Sequence, residues 1–549
     1  MIKEGIKVKI CKGEDSMLDI LITNGLIVDG TGSQAYNMDL GIKEGKIVKI
    51  EKSIEEDAKR ILNAEGLIVS PGFIDVHSHN DLVPFMDEEI QNLKIRQGVT
   101  TELVGQCGLG VIPCLEDESK LWKNYIKGVV GSPNIKFDFK DVKDYFNKIS
   151  NKGIKNNYAV LISHGAIRAK VKGFDSSEAN ENEIKDMCIL IENAMRQGAI
   201  GMSLGLQYMP GIYSGEKELI ELCKIVKNYN GVVMVHVRNH DRNIIKAINE
   251  VINIARISGV RIHISHMRSY DSKELGCKAE KLINLVDEAI KNGVDITFDE
   301  HLYLSGSTLM TQLLPPWITQ DGNEVMLKML KDNNTIERIK KELEDLNTNY
   351  VGWDNYSSIA SWDGILITSL NKEENLKYIG RTVGEISREE NIHPVNFVAN
   401  LLVSEESGVG IVTLNIFSEE DTINLIKHPL QMVGSDSIPA GDPHPRLYGN
   451  YPLFIGKYIR DKKALSLEEG IYKCTLLPAT TLGLEDRGVL TIGKIADITI
   501  FDFDNIVGYE DYINKSRSPK GIKYVIVNGK LIMDNELILE DKNGIVVNK

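Results

Sequence analysis

The sequence predicts an α/β protein: a (β/α)8 TIM-like barrel, a small β-sandwich domain built from both termini, and an inserted lid segment. Three observations carry this. The middle of the 549-residue chain alternates short apolar runs with helical stretches, the pattern of a parallel sheet with crossover helices. Both ends share a different texture of short β-branched runs joined by tight turns. A long gap between 315 and about 430 separates the last two strand candidates, where βα loops ordinarily take about two to six residues.

At the amino end, Leu18–Ile22 and Leu26–Asp29 flank the turn Thr23-Asn24-Gly25, and Gly41-Ile42 and Lys46–Ile50 flank Lys43-Glu44-Gly45. Leu67–Ser70 follows. Asn-Gly and Glu-Gly between such runs are hairpin signals. At the carboxyl end, Asp497–Phe501 and Tyr524–Val527 are strand-like, and Asn528-Gly529 turns toward Leu531-Ile532. The expected divisions are 1–70 and 481–549 for the two parts of the β domain and 71–480 for the barrel, with the insertion around 315–430.

Eight barrel strands are expected, centred on Phe73–Val76, Thr101–Val104, Tyr158–Ile162, Ile200–Ser203, Val232–Val235, Arg261–Ile264, Asp295–Phe298 and Gln431–Gly434. Helices at 215–229, 242–258 and 279–292 fall between them.

Bulk composition narrows the function. A length of 549 residues suggests two or three domains. A net charge of -14 disfavours nucleic-acid or acidic-membrane partners, because binding phosphate needs a basic surface. Seven unpatterned cysteines suggest reduced thiols and a cytoplasmic protein. Met1–Asp15 mixes Lys and Glu with no apolar core, so no signal peptide is expected, and Met17 opens the first patterned strand, leaving 1–16 as an extension or a mis-set start. No run of about 18 apolar residues predicts a membrane span.

In such barrels the chemistry sits at the carboxyl ends of the strands. Strand one ends in His77-Ser78-His79, strand two in Gly105-Gln106-Cys107-Gly108, strand five in His236-Val237-Arg238, strand six in His266 and strand eight in Gly434-Ser435-Asp436. Only 11 histidines occur in the chain, and four of them stand here. Two histidines two apart on a strand point the same way and can grip one metal. Imidazoles and a thiolate suit zinc, which lowers the pKa of its water to about 7. Asp436 can ligate, or accept a proton from that water.

Here the sequence meets a family. Pro71-Gly72-Phe73-Ile74-Asp75-Val76-His77-Ser78-His79 resembles the opening metal motif of the amidohydrolase superfamily. More closely, the chain resembles the D-aminoacylases (N-acyl-D-amino-acid deacylases) over nearly all of 18–530, through Gly98–Gly108, Ser163–Arg168, Gly205–Pro210, Leu314–Trp317, His444–Gly449 and Leu484–Leu490. The resemblance implies hydrolysis of N-acyl-D-amino acids with zinc bound tightly by Cys107, His236 and His266. It implies a second, weaker metal position at His77 and His79 bridged by Cys107, and Asp436 as general base that also touches this second metal. Arg446 matches the arginine that holds the substrate α-carboxylate, assisted by Tyr208 and Tyr303. Arg268 stands where the family usually has lysine, exchanging a point charge for a fork. Asn239-His240 replaces a common acidic residue, and the run from Asp436 to Arg446 is one residue shorter than usual.

Blander readings compete. A lone cysteine is ordinarily a small apolar side chain. His263 reads as core or lining, and His164 as hydrogen-bonded structure. His240, His301, His393 and His428 have no partner pattern and read as structural. Gly108 and Gly205 read as backbone requirements. Two rival functions are cyclic-amide hydrolysis of the dihydropyrimidinase kind, whose bridging lysine is missing from Ala199–Ser214, and a barrel scaffold without catalysis. The partner expected is a small-molecule substrate; the oligomeric state is left open.

Overall fold

The computed structural model describes residues 17–114, 119–271, 276–512 and 516–548. The expectation about 1–16, and Cys11 within it, lies outside the described residues.

Eight parallel strands run in sequence order around the barrel: Phe73–Asp75, Val99–Val104, Asn157–Ser163, Gly201–Gly205, Val232–His236, Arg261–Ile264, Ile296–Glu300 and Gln431–Val433. Each overlaps its expected strand. The last closes on the first just past their ends. Asp436 N–H donates to His77 O at 2.8 Å and His79 N–H to Ser437 O at 2.9 Å. Below that seam, the buried Asp75 carboxylate accepts from Lys94 Nζ at 2.6 Å and from Ser435 Oγ at 2.6 Å, fastening strand eight to strand one.

The helices present one apolar stripe to this sheet. In Ala279–Lys291 the buried positions are Ala279, Leu282, Val286 and Ala289, spaced for a single face. Glu181–Arg196 starts at a capping box between Asn180 and Glu183, which satisfies amides the helix leaves open.

The β layers combine both chain ends. Ile68–Pro71 pairs antiparallel with Ile498–Phe501 inside a seven-stranded sheet. A four-stranded sheet faces it, and Ile20, Leu40, Ile42 and Leu62 cluster with Val69, Ile498, Ile500 and Ile526. Ala58–Asn63, an edge strand paired parallel to Leu18–Thr23, was not expected from sequence. Lys59, Arg60 and Ile61 are exposed on it, so it shows no alternation to read; charge on an edge also discourages pairing with other chains.

The inserted layer opens earlier than 315, at strand Gly306–Leu309, which pairs antiparallel with Gly410–Thr413; this in turn pairs with Ile365–Ser369. Helices between these strands share a core that includes Ile336, Ile339, Ile367, Phe397, Leu402 and Ile411. Among the described residues, no helix is long and apolar enough to cross a membrane.

Candidate metal centre

The strand ends converge on one buried cluster. Three donor sets have their ligating atoms within 4.8 Å of one another: His77, His79 and Cys107; Cys107, His236 and His266; and His77, His266 and Asp436. Cys107 belongs to the first two sets. Its Sγ lies 3.3 Å from His77 Nε2 and 3.6 Å from His266 Nε2. His236 Nδ1 lies 2.9 Å from His266 Nε2. Asp436 Oδ1 lies 3.4 Å from His77 Nε2 and 3.3 Å from His79 Nε2.

The backbone is bent to achieve this. Cys107, His266 and Asp436 have φ of 52°, 35° and 47°, a left-handed region that costs a non-glycine residue about 1–3 kcal/mol. Gly205 makes room for the Cys107 turn: a Cβ there would sit 1.9 Å from Cys107 O.

Partners behind the cluster fix which ring nitrogen faces it. His77 Nδ1–H donates to Asp299 Oδ2 at 3.1 Å, which turns Nε2 inward. Asp299 also accepts from His263 Nε2 at 2.8 Å and from His266 N–H at 2.9 Å. His236 Nε2–H donates to Gln207 Oε1 at 2.8 Å, leaving Nδ1 free to ligate. Gln207 Nε2 in turn donates to Asp354 Oδ2 at 3.0 Å. Asp354 belongs to the inserted layer and also accepts from Asn239 Nδ2, His240 N–H and the Tyr270 hydroxyl. One carboxylate thus ties the insertion to three barrel loops and, through Gln207, to His236.

The electrostatics suit a cation. Burial pushes the Cys107 thiol up, but the charge on His77 and the hydrogen-bonding contacts with the surrounding imidazoles outweigh it and hold the thiol well below its ordinary range. Burial opposes charge on His77 and His79. Asp299, Cys107 and Asp436 outweigh it at His77, whose pKa stands well above the usual value. Asp436 and Cys107 raise His79 to about 9. Burial and the neighbouring His266 lower His236 to about 4. Burial raises Asp436, yet Arg446, His77 and His79 hold it well below the carboxylate range. The cluster keeps a thiolate and a carboxylate together with imidazoles whose protons a metal ion would displace. The donor set therefore fits a metal.

Asp436 Oδ2 faces the other way, 3.0 Å from Arg446 Nη1. The Arg446 guanidinium is fully buried, and none of its nitrogens has a hydrogen-bond partner among the described residues beyond this ion pair. Tyr208 lines the same cavity, its hydroxyl 3.0 Å from Thr308 Oγ1. Tyr303 and Arg268 stand behind the wall. The Tyr303 hydroxyl donates to Pro445 O and Tyr509 O, both at 3.2 Å. Arg268 donates to Tyr303 O at 3.0 Å and His301 O at 2.8 Å, and lies 3.9 Å over the Phe417 ring.

Two histidines read as structural from sequence line the cavity: His240, with its ring 5.0 Å from that of His236, and His301, against Arg268. Burial with His236 lowers the first well below the histidine range; burial with Arg268 does the same for the second. Asp299 was also missed. It stands one residue before the end of strand seven, two residues beyond Thr297 on the same face, and asking what the carboxyl end of that strand carries would have found it. His164 is a structural partner of Glu218 at 2.7 Å.

A parallel barrel with this cluster at its mouth defines a metal-dependent hydrolase architecture, and the chain belongs to the amidohydrolase family: the family profile matches residues 60–332 and 396–533. The N-terminal domain of the urease alpha-subunit matches residues 1–72. The chain is similar to an N-acyl-D-glutamate deacylase of Alcaligenes xylosoxydans xylosoxydans, 28% identical with 93% of each chain covered. It is also similar to a D-aminoacylase of the same organism, 26% identical over 98% of this chain and 99% of that one. A solved N-acyl-D-glutamate deacylase from Bordetella bronchiseptica, complexed with zinc and a phosphonate that mimics the tetrahedral intermediate, superposes with a TM-score of 0.82 at 26% identity, covering 97% of this chain and 100% of that one.

Proposed function

We propose that the chain hydrolyses the amide bond of N-acyl-D-amino acids, releasing a carboxylate and a free D-amino acid. Cys107, His236 and His266 would hold zinc, and His77 and His79 with Cys107 would offer a second, weaker position. The relatives' activities support the substrate class and its D configuration, and the zinc in the Bordetella enzyme supports the ion.

One observation carries the reading: Asp436 stands between the ligand cluster and a buried guanidinium with unused donors. Arg446 binds the α-carboxylate, with a fork suited to two oxygens. The scissile amide, one carbon away, then reaches Asp436. Zinc bound at these residues supplies a Lewis acid that polarises the acyl carbonyl and brings the pKa of water to about 7. Asp436 Oδ1 accepts the proton of the attacking water and delivers it to the leaving nitrogen. Substrate carboxylate on Arg446 removes part of what holds the Asp436 pKa down, so the base strengthens when substrate is present.

Tyr208 forms the wall beside His236, Tyr303 holds the Pro445 turn that carries Arg446, and Arg268 acts through His301. The insertion is the lid: Gly306–Thr308, Tyr356 and Phe417 line the cavity and exclude water. Cyclic-amide hydrolysis finds less support, because strand four, Gly201–Gly205, has no lysine to bridge two ions. The six described cysteines are free, which supports a reduced, cytoplasmic setting.

The test is amine release by zinc-loaded protein from N-acetyl-D- and N-acetyl-L-amino acids. Turnover of the D series is expected. Preference for the L series, or ring opening of dihydropyrimidines with neither series cleaved, would overturn the proposal.

A further inference from the structure

We infer that the substrate of this site carries a neutral, apolar side chain and not a second carboxylate. This rests on the deacylase reading above and adds the side-chain class to it.

The cavity in front of the ligand cluster is walled by Leu109, Val129, Ile416, Phe417, Ile438 and the Tyr356 ring. Among the described residues, Arg446 is the only lysine or arginine on its lining, and the α-carboxylate uses it. Arg268, the other cation near this mouth, stands behind the lining: its Nη atoms donate to the carbonyls of Tyr303 and His301, Phe417 covers its face at 3.9 Å, and among the described residues only its Nε has no partner. Three tyrosine hydroxyls on the wall have protein partners: Tyr208 meets Thr308 at 3.0 Å, and Tyr270, which donates to Asp354, lies 2.8 Å from the Tyr356 hydroxyl. Arg268 Nη2 lies 2.6 Å from the His301 ring, which opposes a positive charge there. Among the described residues the one carboxylate on the lining is Asp436, and it would repel another.

An ionised side chain would therefore meet a lining whose one arginine is already used and whose other polar groups outside the ligand cluster, His240, His301, Ser307 and Thr413 among them, are neutral, and burying an unpaired ion is strongly unfavourable. An apolar side chain gains from each methylene it buries, about 10–200-fold in specificity per methylene at best. Because Ile416, Phe417 and Tyr356 come from the insertion, that layer sets the preference as well as covering the site.

The experiment compares kcat/KM for N-acetyl-D-alanine, -methionine, -glutamine and -glutamate with the zinc-loaded protein. Glutamine and glutamate share shape and differ in charge. Methionine should exceed alanine by at least about 10-fold, and glutamate should fall below glutamine by at least about 100-fold. Replacing Ile416→Arg should raise the glutamate-to-methionine ratio at least about 10-fold. Alanine and glutamate both turned over, with glutamate equal to or better than methionine, would overturn the side-chain inference alone. No turnover of any of the four would overturn the deacylase reading and this inference with it.

Discussion

His236 Nδ1 and His266 Nε2 stand 2.9 Å apart, and Gln207, by accepting the His236 Nε2 proton at 2.8 Å, obliges Nδ1 to present its lone pair there. Gln207 is itself held by Asp354 of the insertion. Outer partners of metal-bound histidines typically contribute about 10–100-fold to affinity. Gln207→Leu and Asp354→Asn should each weaken zinc binding within that range, read by chelator competition. Unchanged affinity in both would remove the lid-to-ligand link.

Asp436→Asn keeps the volume and removes the proton acceptor. Turnover should fall by about 10²–10⁴-fold, the usual contribution of a general base, while the purified protein retains zinc. Rate and metal content measured on one preparation separate the two roles. A near-normal rate would refute the base assignment.

Arg446→Ala should raise KM by about 10–100-fold, corresponding to charge-assisted hydrogen bonds of roughly 1.5–3 kcal/mol. The effect should vanish for a substrate whose α-carboxylate is amidated, since that substrate has no charge to dock. An equal loss with both substrates would make Arg446 a structural support of Asp436.

Glu218 offers a pH test away from the ligands. Its carboxylate is buried, 2.7 Å from His164 Nε2 and 3.3 Å from Arg168 Nε. Burial raises its pKa, but the His164 hydrogen bond and both neighbouring charges outweigh this, and the folded pKa is depressed. A depressed carboxylate stabilises the fold fully above its unfolded pKa of about 4.3 and loses that contribution as pH falls toward the folded value. Glu218→Gln should flatten the acid limb of a denaturation-versus-pH series below about pH 4.3. At neutral pH it should cost about 3–5 kcal/mol, because Arg168 is left buried without its partner.

The barrel was legible because its strands are buried on both faces and read as apolar runs between helical stretches. The gathering of His77, His79, Cys107, His236, His266 and Asp436 was legible because they stand at strand ends, where a chemical search is short. What escaped depends on contacts remote in sequence. Asp354 meets Asn239 and His240 across an insertion whose internal layout leaves no strand-end signal. His240 and His301 become cavity walls only once that layer folds over them. Arg268 and Tyr303 aligned with substrate contacts, yet the Arg268 Nη atoms and the Tyr303 hydroxyl turn to backbone carbonyls, and side-chain direction is not readable from a motif.

In the proposed site Cys107 ligates the same ion as His236 and His266. X-ray absorption at the zinc edge of the purified protein tests it directly. One sulfur at about 2.3 Å with nitrogen donors at about 2.0–2.1 Å is expected, with loss of the sulfur shell in Cys107→Ser. Zinc bound at full occupancy with only nitrogen and oxygen neighbours would contradict it.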